Sequence, residues 1–254
     1  MITKGTGFPV VLIPGIQGRW EWMRPTIDAM TAGHRVITAS LQELRPTIER
    51  DGVFTAWTHA LDQLLDNAHE RQATIIGVSF GGLIAARFAA RYPQRVAALV
   101  LVSTPSPRWQ LDPQTAGYVR RPRLSLPLFA LRGAQRMAPE LVAALPTWRG
   151  RASFAARHTL QVLRAPGSPS RMAAWVREWS TLDISADCRV IDAPTLVLTG
   201  EPRLDRVVPV SSSLEYIKLI AGARHVVLPE TGHLGLILKP VEFAKLISDF
   251  VVQE

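Results

Sequence analysis

The sequence holds one cysteine, Cys188, in 254 residues. No intramolecular disulfide can form, a thiolate-ligated metal site is effectively excluded, and Cys188 is expected to be a buried bystander. Long apolar runs are missing as well: nothing approaches the roughly 18 consecutive apolar residues of a membrane-spanning helix. The opening stretch MITKGTGFPVVLIPG lacks a basic patch followed by an apolar run and a small-residue cleavage site. A soluble, cytoplasmic protein is expected. There is no internal repeat and no low-complexity tract, and phosphate loops and metal motifs are also lacking. Gly5-Thr6-Gly7 is isolated, and His69-Glu70 has no second histidine of a zinc helix. No metal and no cofactor are called for.

What is present is a regular alternation. With 47% hydrophobic residues the chain can bury a sizeable core. Short apolar runs at Val10 to Ile13, Val36 to Thr38, Thr74 to Val78, Ala97 to Val102, Thr195 to Thr199 and His225 to Leu228 read as strands buried on both faces. Amphipathic stretches at Trp22 to Met30, Phe54 to Ala68, Phe80 to Arg91, Val210 to Ile220 and Val241 to Val251 read as helices. The pattern predicts an α/β fold, a mainly parallel sheet of about six strands with helices on both faces.

The alternation breaks after Thr104, where the chain becomes helical and proline-rich. The expected organisation is a core from 1–104 and 188–254, with a helical cap inserted at 105–187. The formal net charge of +8 belongs to this insertion: Pro105 to Ser180 contains twelve Arg, no Lys and three acids, Asp112, Glu140 and Glu178. Four of the seven tryptophans, Trp109, Trp148, Trp175 and Trp179, are there too, as expected of a cap with its own apolar underside. The arginines can be solvated helix faces, or they can recognise a carboxylate-bearing substrate or an acidic partner. No nucleic-acid recognition module is recognisable.

Candidate chemistry begins at Gly77-Val78-Ser79-Phe80-Gly81, a G-x-S-x-G sequence between a strand and a helix. A sharp strand-to-helix turn brings the flanking positions together, so the two glycines remove Cβ atoms that would clash. A serine there needs a base, itself oriented by a carboxylate. Of six histidines, His233 alone follows the last strand on a loop at its carboxyl end, where such sheets bind ligands. For the acid, the segment Gly200 to Pro209 offers Asp205, with Glu201 as competitor. The oxyanion would be held by two backbone amides, Phe80 at the helix start and Ile16 in the loop Pro14 to Gly18. Gln17, Trp20, Trp109, Trp148 and Leu234 are candidates for contacting substrate.

These features together resemble the α/β-hydrolase family along the whole chain except the cap. The resemblance rests on Ile13-Pro14-Gly15-Ile16 with Trp22 downstream, Arg35-Val36-Ile37, Gly77 to Gly82, Arg95-Val96 through Leu101-Val102, Gly200 to Asp205 with Pro209, and Gly232-His233 with Pro240. It implies a triad of Ser79, Asp205 and His233 under a helical lid. There are departures. Pro14 stands where the family commonly has histidine, and Leu41 to Pro46 lacks the usual glycine-rich turn. The Gly200 to Asp205 spacing is longer than usual, which keeps Glu201 in contention. The late first strand implies an absent or vestigial antiparallel edge hairpin.

Ser79 where epoxide- and halide-processing relatives carry aspartate argues against both chemistries. The resulting expectation is a serine hydrolase, a carboxylic ester hydrolase of the EC 3.1.1 kind. C–C bond hydrolase, lactonase and cofactor-free perhydrolase chemistry share the triad, and a non-catalytic receptor on the same scaffold is the rival from another class. Some carrier-protein methyl ester esterases of the family look similar in their arginine-bearing lid, which implies an acidic acyl carrier as a partner.

Overall fold

The structure, a computed structural model, describes residues 1–44 and 52–253. Seven strands form one sheet: β1 Ile2–Lys4, β2 Phe8–Ile13, β3 His34–Thr38, β4 Ala73–Val78, β5 Val96–Val102, β6 Thr195–Thr199 and β7 Arg224–Val227, in the order β1-β3-β2-β4-β5-β6-β7. All pairings are parallel except β1 with β3, where Ile2 pairs with Thr38 and Lys4 with Val36. The edge hairpin is thus reduced to a three-residue strand, which raises the expected count of six strands to seven. Three residues followed by Gly5 and Gly7 leave too little periodicity to stand out in sequence.

Side-chain alternation explains why the central strands are continuously apolar. Val11, Ile13, Ile75, Leu99 and Val197 face one core, shared with α2 Gly52–Asn67 and α3 Phe80–Arg91. Val10, Leu12, Ile76, Val100 and Leu198 face the other, shared with α1 Arg24–Met30 and the C-terminal helix Pro240–Gln253. Each of these central strands is buried on both sides because successive residues point to opposite faces and both faces are covered, whereas β7, expected to be buried on both faces, is an edge strand with Arg224, His225 and Val227 exposed.

After β5 the chain runs through α4 Pro113–Arg120, α5 Pro122–Ala144, α6 Trp148–Arg164 and α7 Pro169–Trp179. Among these four only Val119, Glu140 and Ala173 are buried within the helices. The next helix, α8 Ser185–Arg189, returns to the core, where Ile184 and Cys188 are fully buried. Burial pushes the Cys188 thiol up to about 12, so it stays protonated and unreactive. The stretch expected as one helix from Val210 to Ile220 is two short ones, α9 Val210–Ser213 and α10 Glu215–Leu219, followed after β7 by α11 Gly235–Leu238 and α12 Pro240–Gln253. Of the segment Leu41 to Pro46, Arg45 and Pro46 lie outside the described residues, while Gln42 accepts a hydrogen bond from Arg171 of α7 at 2.7 Å. Among the described residues, no helix is long and apolar enough to cross a membrane.

Candidate active site

Ser79 joins β4 to α3 with φ 52° and ψ −121°, backbone angles that an L-residue adopts only when its surroundings impose them. The imposition is visible. The Ser79 amide donates to the Val102 carbonyl at 2.7 Å, and its own carbonyl accepts from Gly82 at 2.8 Å. A Cβ on Gly77 would lie 2.5 Å from the Gly82 Cα and 2.6 Å from the Gly81 carbonyl. One on Gly81 would lie 2.6 Å from the carbonyls of Ile13 and Pro14. The two glycines therefore let α3 close onto β4 and onto the loop after β2 at once, holding the serine at the turn.

Asp205 and His233 come from the loops after β6 and β7. The Asp205 Oδ2 lies 3.4 Å from His233 Nδ1, while its Oδ1 accepts from the amides of Val208 at 2.9 Å and Val207 at 3.1 Å. Burial pushes the Asp205 carboxyl upward, but the hydrogen bond and charge of His233 and the two amides outweigh it and hold it below the usual carboxylate range. Glu201 is engaged elsewhere: one oxygen accepts from the Glu230 amide and the other from Arg203, each at 2.8 Å. The remaining histidines sit apart from this constellation. His34 meets Ser248, His59 meets Tyr92 and His225 meets Thr199, while His158 packs between the rings of Trp22 and Phe154. His69 ends the turn after α2 at φ 57°.

Ser79 opens into a cavity of about 540 Å³ lined also by Ile16 and Phe80 and roofed by α4, α5 and α7, a size suited to a small organic ligand. Phe80 is the hub of an aromatic cluster, with Trp175 stacked at 6.4 Å and Phe54, Trp57 and Trp179 within 5.8 Å. Trp109 stacks on Trp179 at 3.9 Å, and both face the cavity. Of the tryptophans expected as cap core, Trp175 and Trp179 pack against the core, and Trp109 and Trp179 form cavity wall. His233 is not among the cavity-lining residues, and the Ser79 hydroxyl makes no hydrogen bond to it.

A residue without any motif stands beside this pair. Glu140 of α5 is 1% exposed. Its Oε1 accepts from the amides of Gly232 at 2.6 Å and Leu234 at 2.8 Å, on either side of His233. Burial drives its carboxyl up to about 7 against those two hydrogen bonds and the charge of His233, with Asp205 adding to the rise.

A strained serine between strand and helix, with an aspartate–histidine pair after the last two strands, is the arrangement that G-x-S-x-G predicts. The sequence profile of the family described as having the alpha/beta hydrolase fold matches residues 9–240. The chain belongs to the α/β-hydrolase family. It is similar to a 2-hydroxy-6-oxo-2,4-heptadienoate hydrolase of Pseudomonas putida, 29% identical over 98% of this chain and 91% of the relative. A pimeloyl-[acyl-carrier protein] methyl ester esterase of Photobacterium profundum is 27% identical, covering 98% and 96%. In fold the chain is similar to the enol-lactonase from Burkholderia xenovorans, with TM-score 0.75 and 20% identity over 99% of this chain and 95% of that one.

Within this α/β hydrolase the expected substrate contacts divide. Trp109 lines the cavity. Trp148 does not: it is 71% exposed at the start of α6, with Arg149 over its ring at 5.6 Å. As the residue just after the capping Thr147, it faces solvent. Trp20 and Leu234 pack against the core shared with α1 and α12 and Gln17 lies beside Gly15 and Gly167, none of them among the cavity-lining residues. Of these, Gln17 stays beside the elbow: a Cβ on Gly15 would lie 3.4 Å from Gln17 Oε1 and 3.5 Å from the Ser79 Cβ. Glu140 had one sequence signal, unexploited: it is the sole acid of α5, spaced four residues from Arg136, which itself follows Arg132 by four, so the three share one helix face.

Proposed function

We propose that this α/β hydrolase is a serine hydrolase acting on carboxylic esters through an acyl-enzyme on Ser79. The observation that carries the reading is the Asp205–His233 contact at 3.4 Å beside a strained Ser79 whose cavity is also lined by Val207 and Val208 of the Asp205 loop. In the proposed mechanism the Ser79 Oγ attacks the acyl carbon while His233 Nε2 takes its proton. The tetrahedral oxyanion is held by the amides of Phe80 and Ile16. His233 then returns the proton to the leaving alcohol, and water repeats the sequence to free the acid. Asp205, accepting at Nδ1, fixes the ring's tautomer and stabilises the imidazolium. The Ser79–His233 hydrogen bond forms as substrate seats, since catalytic contacts in unliganded sites are commonly long.

In this reading the insertion is a lid, and its composition suggests the substrate. Trp109, Phe129, Val176 and Trp179 provide an apolar wall for the acyl group. Arg132 and Arg136 border both this cavity and a neighbouring one of about 440 Å³ that Arg206 also lines. None of the three has an ion-pair partner among the described residues. We assign this arginine cluster to an anionic end of the substrate or to an acidic acyl carrier bearing it, as the name of the Photobacterium profundum relative suggests. A second reading, C–C bond hydrolysis on the same triad, is favoured by the Pseudomonas putida relative.

A p-nitrophenyl acyl-chain series on wild type and Ser79→Ala tests the proposal, alongside fluorophosphonate labelling. Turnover lost in the variant and a single adduct on Ser79 are expected. An inert, unlabelled wild type would remove the hydrolase reading in favour of a receptor. Hydrolysis of a vinylogous 1,5-diketone at a rate far above any ester would select the second reading.

A further inference from the structure

We propose that Glu140 is a positioning residue for His233, bracing the histidine loop from the lid so that the triad is set only while α5 is seated. The inference rests on the serine hydrolase reading.

The geometry is bilateral. From the core, Asp205 holds the imidazole at Nδ1. From the lid, one oxygen of Glu140 gathers the amides of Gly232 and Leu234, at 2.6 and 2.8 Å. These are the residues immediately before and after His233, so the backbone that aims the ring is anchored on a helix some 90 residues away in sequence, in an insertion the sheet does not need. Charge-assisted bonds to backbone amides are among the stronger ones. They are made here where a carboxylate is costly to bury, because the second oxygen, Oε2, is buried without a hydrogen-bond partner. The charged groups acting on Glu140 are His233, after β7, and Asp205, after β6. On its own helix Arg136 is one turn away. If α5 lifts, both amides lose their acceptor together and the loop is freed to turn the ring. Lid closure over substrate and assembly of the base are then one event.

The experiment measures kcat and KM separately for a p-nitrophenyl ester, from about pH 5 to about pH 9. It compares wild type, Glu140→Ala and Glu140→Gln, each first shown to be folded by circular dichroism. Misplacing a base by an ångström costs up to about 100-fold. Glu140→Ala is therefore expected to lose at least about tenfold in kcat, with KM within about threefold. Glu140→Gln retains an oxygen acceptor and is expected to recover most of kcat. A merely structural role would move the thermal stability of Glu140→Ala and leave its kcat in place.

Wild-type kcat in Glu140→Ala overturns the proposal. If Glu140→Ala does not fold, Glu140→Leu, which keeps the side-chain volume and removes the acceptor, decides in its place, and wild-type kcat there overturns it. Should wild type itself be inert and unlabelled by fluorophosphonate, the hydrolase reading fails separately. The brace is then read from hydrogen exchange at the Gly232 and Leu234 amides, where equal protection in wild type and Glu140→Ala overturns it.

Discussion

Gly200 and Gly232 meet backbone to backbone where β6 and β7 end. A Cβ on Gly200 would lie 2.5 Å from the Thr231 carbonyl and 2.6 Å from that of Gly232, and one on Gly232 would lie 2.6 Å from Leu204 and 2.8 Å from the Asp205 amide. This contact is what lets the acid loop and the histidine loop share one site. Gly200→Ala is expected to destabilise by about 1–3 kcal/mol, as overpacking does, and to lower kcat by separating Asp205 from His233. Thermal unfolding and turnover of the variant check this; an unchanged Tm would show that the loops part freely.

The division of labour between the two acids of the loop after β6 gives a second expectation. Asp205→Asn should reduce kcat by about 10⁴-fold, as neutralising a triad aspartate does. Glu201→Gln, which alters only the contacts to Arg203 and Glu230, should stay within about threefold. Equal losses in the two variants would return Glu201 to contention.

Glu140 and Asp205 imply opposite pH dependences of stability. The folded value of Glu140 is raised to about 7. Its contribution is therefore fully present below the unfolded carboxyl value near 4.5 and is lost as pH rises through about 7, a change of about 3 kcal/mol. Asp205 is depressed, so its contribution is present above the ordinary carboxylate value and is lost as pH falls through the folded one. Urea unfolding of wild type and Glu140→Gln between those limits should show wild type losing stability relative to the variant as pH rises. Parallel curves would contradict the raised carboxyl.

The arginine cluster predicts substrate discrimination. Arg132→Ala and Arg136→Ala together should lower kcat/KM for an ester with a terminal carboxylate by about 10–100-fold more than for its neutral analogue. The preference for the charged ester in wild type should shrink as salt rises. A charged-to-neutral ratio insensitive to both changes would place the anion elsewhere.

Much of the site was legible because its signals are local. Gly77, Ser79 and Gly81 lie within five residues, between a strand and a helix whose periodicities are plain, so the turn at Ser79 is marked by its own neighbours. His233 was legible by its place after the last strand. The choice between Glu201 and Asp205 was not, because both sit on one loop and only its closure against Gly232 decides which carboxylate meets the ring. Trp148 and Trp109 show the same limit: each is a tryptophan of the insertion, yet one faces water and the other the cavity.

By itself the sequence determined the doubly covered parallel sheet, the strained serine and the strand ends on which an acid and a histidine wait. Alternating side chains and glycine spacing act over a few residues, and their physics is written in the chain. Only the tertiary structure decided that Glu140 grips the amides around His233, that the tryptophans split between wall and surface, and that three arginines ring a second cavity. Those outcomes depend on how the inserted helices settle on the sheet, a docking set by packing and charge between residues distant along the chain, which no local pattern records.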